Sequence, residues 1–118
     1  MAAKRIDKLN TLIAQELAKI ISREVEFELG TLTTITRVKT SDDLKYASVF
    51  ITIYPDARRG SALTLLKKRR PYLQHLLNES IPLQHVPHLR FLIESEDPDA
   101  PSEVEQEVER ILDTLIHE

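Results

Sequence analysis

The sequence has no cysteine, no tryptophan and only 2 glycines in 118 residues. Without cysteine there is no disulfide, no thiolate metal site and no thiol nucleophile, a usage that suits a reducing cytosol. Two glycines leave no room for a glycine-rich phosphate loop. Aromatic residues make up 5% of the chain, so a core must be built mainly from leucine, isoleucine and valine. No apolar run approaches the roughly 20 residues needed to span a bilayer. The stretch from Met1 to Lys8 is polar and carries no apolar signal region. At 42% hydrophobic the chain still has enough apolar material for one domain with a real core.

What the chain does have is an uneven charge. The formal total is −3. Residues 1–93 hold 15 Lys/Arg against 9 Asp/Glu, whereas residues 94–118 hold a single cation, Arg110, against 10 Asp/Glu. Between Ala57 and Arg70 stand Arg58, Arg59, Lys67, Lys68, Arg69 and Arg70, with no acid among them. Phosphate recognition depends on local rather than total charge, so an acidic total is compatible with RNA binding.

Ile6, Leu9, Ile13, Leu17, Ile20 and Ile21 recur at spacings of three and four, with Leu12 widening the stripe. This predicts an amphipathic helix from about Arg5 to Arg23. Gly30 breaks the chain. Leu32 to Thr40 is rich in Thr, Ile and Val and reads as a strand. Ile35 and Val38 sit three apart, so a β-bulge between them is needed to bring both to the core side. Ser41-Asp42-Asp43 is turn chemistry. Lys45 to Tyr54 alternates, with Ala47, Val49, Ile51 and Ile53 on one face and Tyr46, Ser48, Phe50, Thr52 and Tyr54 on the other. Together the two strands predict an antiparallel hairpin.

Pro55 ends the hairpin, and Asp56 is a candidate N-cap for a helix over Ala57 to Lys68 that buries Ala62, Leu63 and Leu66. Pro71 should bend the axis and open a second helix, burying Tyr72, Leu73, Leu76, Leu77 and Ile81. Pro82 and Pro87 bracket a connector. Leu89 to Ser95 reads as a third strand with Leu89, Phe91 and Ile93 inward and Arg90, Leu92 and Glu94 outward. After a linker over Glu96 to Pro101, Ser102 and Glu105 form a capping box. It opens an acidic helix with Val104, Val108, Ile111, Leu112 and Leu115 on one face.

The order α-β-β-α-α-β, then α, predicts an α+β fold with a three-stranded sheet covered on one face by helices. Its first six elements match a type II KH domain, an RNA-binding module. Specific runs of residues sharpen this: Thr34-Ile35-Thr36-Arg37-Val38, Ser41-Asp42-Asp43-Leu44, Ala47-Ser48-Val49-Phe50-Ile51, Tyr72-Leu73-Gln74-His75-Leu76-Leu77, Ile81-Pro82-Leu83 and Val86-Pro87-His88-Leu89-Arg90-Phe91. On these, over residues 5–96, the chain resembles the ribosome-binding factor A family, bacterial factors in small-subunit assembly. The resemblance implies a KH-like RNA-binding domain over residues 1–96, followed by an acidic linker and an amphipathic helix over residues 97–118. It also implies binding to the 30S ribosomal subunit and its 16S rRNA, and a part in their maturation in the cytoplasm as a monomer. No catalytic activity, cofactor, membrane or small-molecule substrate is implied. One position departs. Ordinary KH domains carry a Gly-x-x-Gly loop between paired helices and this family an Ala-x-Gly kink, whereas here Arg69-Arg70-Pro71 stands at that place.

The cluster Arg58, Arg59, Lys67, Lys68, Arg69 and Arg70 is the leading RNA site; its blander reading is a solvated helix face paired with the acidic segment. Lys4, Arg5 and Lys8 on the first helix, with Lys39 and Lys45 near the hairpin turn, are secondary RNA candidates. Tyr46, Phe50 and Tyr54 could stack bases. The last helix, however, needs a surface for its apolar stripe and the second face of the sheet is the one available, so these rings are expected to be packed. His75, His85, His88 and His117 form no metal-ligand pattern. Nothing pairs a nucleophile with a base and an orienting group, which argues against an enzyme. The acidic segment reads as a solubilising cover, with competition for the basic face as the other reading. A rival function class is a protein-interaction module that works through the C-terminal helix without touching RNA.

Overall fold

The apolar stripe of the first segment organises the molecule. It forms α1, Ala2–Glu24, and buries Ile13, Leu17, Ile20 and Ile21. The computed structural model describes residues 2–94. After α1 come β1 (Leu32–Thr40), β2 (Tyr46–Tyr54), α2 (Arg59–Ser80) and β3 (His88–Ile93). Gly30, at φ 88°, makes the reversal between α1 and β1 in a left-handed conformation that a side chain would strain.

The strands form one sheet in the order β1-β2-β3. β1 and β2 pair antiparallel, and the register shifts between Ile35 and Arg37. That shift is the expected bulge. Thr36 is left over, and both Ile35, opposite Ile51, and Val38, opposite Val49, face the helices. β3 pairs parallel to β2, from Tyr46 opposite His88 to Ile51 opposite Ile93, and α2 is the crossover that parallel pairing requires. Both helices lie on one face of the sheet. Leu17 and Ile13 of α1, Leu66, Leu73 and Leu77 of α2, and Val49, Ile51, Leu89 and Phe91 of the sheet meet there, each at most 2% exposed. Each such side chain contributes about 1.5–3 kcal/mol by leaving water, which is what holds α1 and α2 on this face.

Two amide side chains fix the helices to the strands. On α1, Asn10 Oδ1 accepts from Thr40 N at 2.9 Å and from Thr40 Oγ1 at 2.6 Å. On α2, Gln74 Oε1 accepts from Leu89 N at 2.8 Å, and Gln74 Nε2 donates to Pro87 O at 3.1 Å and to Asn78 Oδ1 at 3.0 Å.

Three expectations are corrected. Residues 59–80 form one continuous helix rather than two separated at Pro71. At 100° per residue, Pro71 falls on the side away from the buried stripe of Ala62, Leu66, Leu73 and Leu77. The N–H that proline removes from the helix ladder is therefore lost away from the core. Asp56 does not cap this helix: the N-cap is Arg58, with no side-chain cap bond, and Asp56 Oδ1 instead accepts from Arg59 Nη2 at 3.1 Å. Tyr72, expected inside, is 42% exposed, with its hydroxyl donating to Glu24 Oε2 at 3.2 Å. The linker over residues 96–101, the capping box at Ser102 and Glu105, the C-terminal acidic helix and His117 lie outside the described residues.

Candidate nucleic-acid interface

Helix geometry divides the six-cation cluster instead of gathering it. Arg58 and Arg59 stand at the start of α2, beside the end of β2, and are already paired, Arg58 with Glu28 and Arg59 with Asp56. Lys67 to Arg70 fall at successive 100° steps and so radiate around the helix. Arg69 turns towards α1, where its Nη2 donates to Glu24 O at 3.5 Å and its guanidinium lies 5.2 Å from the Tyr72 ring. Arg70 turns the other way, towards β3, close enough to His88 for its charge to act on the imidazole. Lys67 and Lys68 lie between them on the solvent side, both exposed.

The secondary candidates converge at one end of the sheet. Asn10 joins α1 to the end of β1 at Thr40, and His88 N donates to Lys45 O at 2.8 Å. The first turns of α1, the β1–β2 turn and the start of β3 therefore share an end. Lys4, Arg5, Lys8, Lys39 and Lys45 are exposed there, with Arg70, His88 and Arg90 nearby. The acids of the turn soften this charge. Asp43 accepts from Ser41 Oγ at 2.6 Å and from Lys45 N at 3.1 Å, and those bonds hold its carboxyl below the usual carboxylate range.

Two arginines absent from the sequence-based candidates complete the surface, both on the sheet face turned away from the helices. Arg90 places its guanidinium 3.8 Å from the Tyr46 ring centroid, and Arg37 lies 3.9 Å over Phe50. Strand alternation alone puts Arg90 outward. Its stacking on Tyr46 follows only from the parallel register of β2 and β3, which sequence periodicity does not carry. Tyr46 and Phe50 are thus occupied by guanidinium planes on this face, while Tyr54 is 71% exposed.

His88 presents the edge of its ring to Tyr46, centroids 5.9 Å apart. Loss of water around the imidazole, then the charges of Arg70 and Arg90, hold its pKa below the ordinary 6.5, so it is neutral at pH 7. Among the described residues no group of three His, Cys, Asp or Glu could hold a metal ion, and no helix is long and apolar enough to cross a membrane. The concavity between α1 and β1, about 400 Å³, is lined by Ile21, Val25, Phe27, Ile35 and Leu66 among others. Thr31 Oγ1 is the one buried side-chain polar atom without a partner among the described residues. The arrangement offers cations and stacked planar groups, which suit phosphates and bases.

Comparison with known proteins bears on what this surface serves. The family model described as ribosome-binding factor A matches residues 5–112. A protein of that description from Chromohalobacter salexigens is 37% identical over 91 residues, covering 75% of this chain and 70% of its own. The fold is similar to the crystal structure of ribosome-binding factor A from Thermus thermophilus, with a TM-score of 0.67 at 24% identity, over 75% of this chain and 94% of that one. It is also similar to a homology model of the Thermus thermophilus factor fitted into a cryo-EM map of its complex with the 30S subunit, with a TM-score of 0.65 at 24% identity, over 78% and 98% of the two chains. The order α1-β1-β2-α2-β3 and these likenesses define an α+β, KH-like fold.

Proposed function

The chain belongs to the ribosome-binding factor A family, and from that premise we propose that it is a non-catalytic biogenesis factor that binds the 30S ribosomal subunit through 16S rRNA and assists its maturation in the cytoplasm. The observation that carries the reading is the placement of exposed cations on two neighbouring parts of the surface. Lys67 and Lys68 are exposed on α2, and Lys8, Lys39, Lys45, Arg70 and Arg90 ring one end of the sheet. A curved, phosphate-lined RNA can touch both the helix and that end, whereas a single flat track along α2 would leave Arg69 and Arg70 on opposite sides. In this reading Arg58 and Arg59, already paired with Glu28 and Asp56, contribute less than Lys68.

The factor's relative in the cryo-EM complex binds a 30S particle, which makes the small subunit the partner to test. Sedimentation of the full chain with separated small subunits, large subunits and assembled ribosomes should show co-migration with free small subunits alone. That binding should fall steeply as salt is raised, since each phosphate contact adds about 0.7–0.9 to the logarithmic salt slope. Absence of co-migration with any particle would refute the proposal.

A further inference from the structure

The sheet face away from the helices has no covering element among the described residues, and its register spells out what it offers. Arg37 lies opposite Phe50, and Phe50 opposite Leu92; Lys39 lies opposite Ser48, and Ser48 opposite Arg90; Tyr46 lies opposite His88, and Leu32 opposite Tyr54. Three cations are thus interleaved with rings and a leucine. Tyr46 at one end of β2 is 40% exposed, and Tyr54 and Leu32 at the other are 71% and 64% exposed, so the face carries apolar surface at both ends.

The course of the chain says what reaches it. Glu94 continues the ladder, its N–H donating to Ile51 O at 2.8 Å. Its carboxylate crosses β2 to Arg37, at 3.2 Å from Nε, and lies 3.1 Å from Thr36 Oγ1. The chain therefore leaves β3 with its first acid already on this face. Residues 95–118 carry nine more acids against Arg110 alone, together with Val104, Val108, Ile111, Leu112 and Leu115 at spacings of three and four.

We propose that in the RNA-free chain the acidic segment 95–118 covers the outer face of the sheet, setting its carboxylates against Lys39 and against the Arg37 and Arg90 guanidinium groups that lie over Phe50 and Tyr46, and its apolar stripe against Leu92. Charge selects this surface over the other apolar one. Val25 and Phe27, which line the concavity between α1 and β1, alternate in sequence with Glu24, Glu26 and Glu28, whose charge disfavours an acidic segment. Attachment at Glu94 also makes the encounter intramolecular, at an effective concentration of roughly millimolar. Reach sets no limit, because β1 lies only about 10 Å from β3 across the sheet.

The cysteine-free sequence makes the test clean. Gln106→Cys in the full chain provides one thiol for a nitroxide. The expected result is that the amides of Ser48, Phe50, Arg90 and Leu92 lose most of their intensity relative to the reduced label, while Leu17 and Leu66 on the helical side keep theirs. Raised salt, or Arg37→Glu with Arg90→Glu in a chain that keeps a dispersed spectrum, should restore the lost intensity. Uniform or absent broadening would overturn the proposal, as would broadening unchanged by the charge reversal. Broadening that arises only between labelled and unlabelled copies would assign the face to a second chain and overturn it too. So would shifts of these amides that appear only when a short single-stranded RNA is added.

Discussion

Gln74 can be deleted from the fold by a single isosteric change, Gln74→Leu, and the cost follows from its bonds. Its Oε1 satisfies Leu89 N, and its Nε2 satisfies Pro87 O. Leu89 is fully buried and Pro87 is among the residues less than 2% exposed. Leucine would strand one donor and one acceptor at the start of β3, at about 1–3 kcal/mol each. Because water can reach part of the site and leucine adds apolar contact, the expected net loss is ~2–4 kcal/mol. In a domain of this size that lowers the melting temperature by roughly 10–25 °C. Gln74→Glu separates the two halves. Its carboxylate can still accept from Leu89 N–H but faces Pro87 O without a donor, which raises its pKa in the folded state. The stability it retains is therefore present at low pH and lost as pH rises through that pKa. Urea unfolding of the full chain, followed by circular dichroism, should place Gln74→Glu between parent and Gln74→Leu at pH 7, with its gap from the parent narrowing towards pH 4. A Gln74→Leu chain within about 0.5 kcal/mol of the parent would refute the reasoning that this amide clamps β3.

His88 should titrate below 6.5 in an NMR pH series; Arg70→Gln or Arg90→Gln should move its midpoint part of the way back, the remainder staying with desolvation. Because the folded-state pKa is lowered, the unfolded chain takes up protons first, so the contribution of His88 to stability is present above 6.5 and is lost as pH falls through its folded pKa; His88→Asn should flatten that part of the pH–stability curve. Lys45→Glu with Lys68→Glu should weaken small-subunit binding and lower its salt slope by about 2, with an unfolding midpoint close to that of the parent, since both side chains are exposed; unchanged binding would remove these two lysines from the interface.

The hairpin and its bulge were legible because Ile35 and Val38 break a period of two by one residue, and only one geometry returns both to the core. The stripe of α1 was legible for the same reason in a period of 3.6. The misreading at Pro71 came from treating proline as a local stop. Whether it ends a helix depends on which side of the axis its ring falls, and Ala62, Leu66, Leu73 and Leu77 already define that side. The interface was less legible. Lys67 to Arg70 look like one patch in sequence and point in different directions in space. Arg37 and Arg90 came to light only through pairing across β2, a contact between residues 46 and 90 that no local pattern announces. Gln74, too, reads as an ordinary polar position on a helix until β3 is placed beside it.

The leftover residue at Thr36 has a consequence for how the protein behaves in company. β1 is an edge strand of nine residues, rich in β-branched side chains, and such an edge is a template on which a second copy can lay a strand and begin an aggregate. The bulge breaks the even row of main-chain donors and acceptors midway and increases the local twist, and Arg37 and Lys39 stand charged beside the break. A copy arriving flat meets a kinked, like-charged rim. The irregularity that seats Ile35 and Val38 in the core thus also makes β1 a poorer template for a second copy.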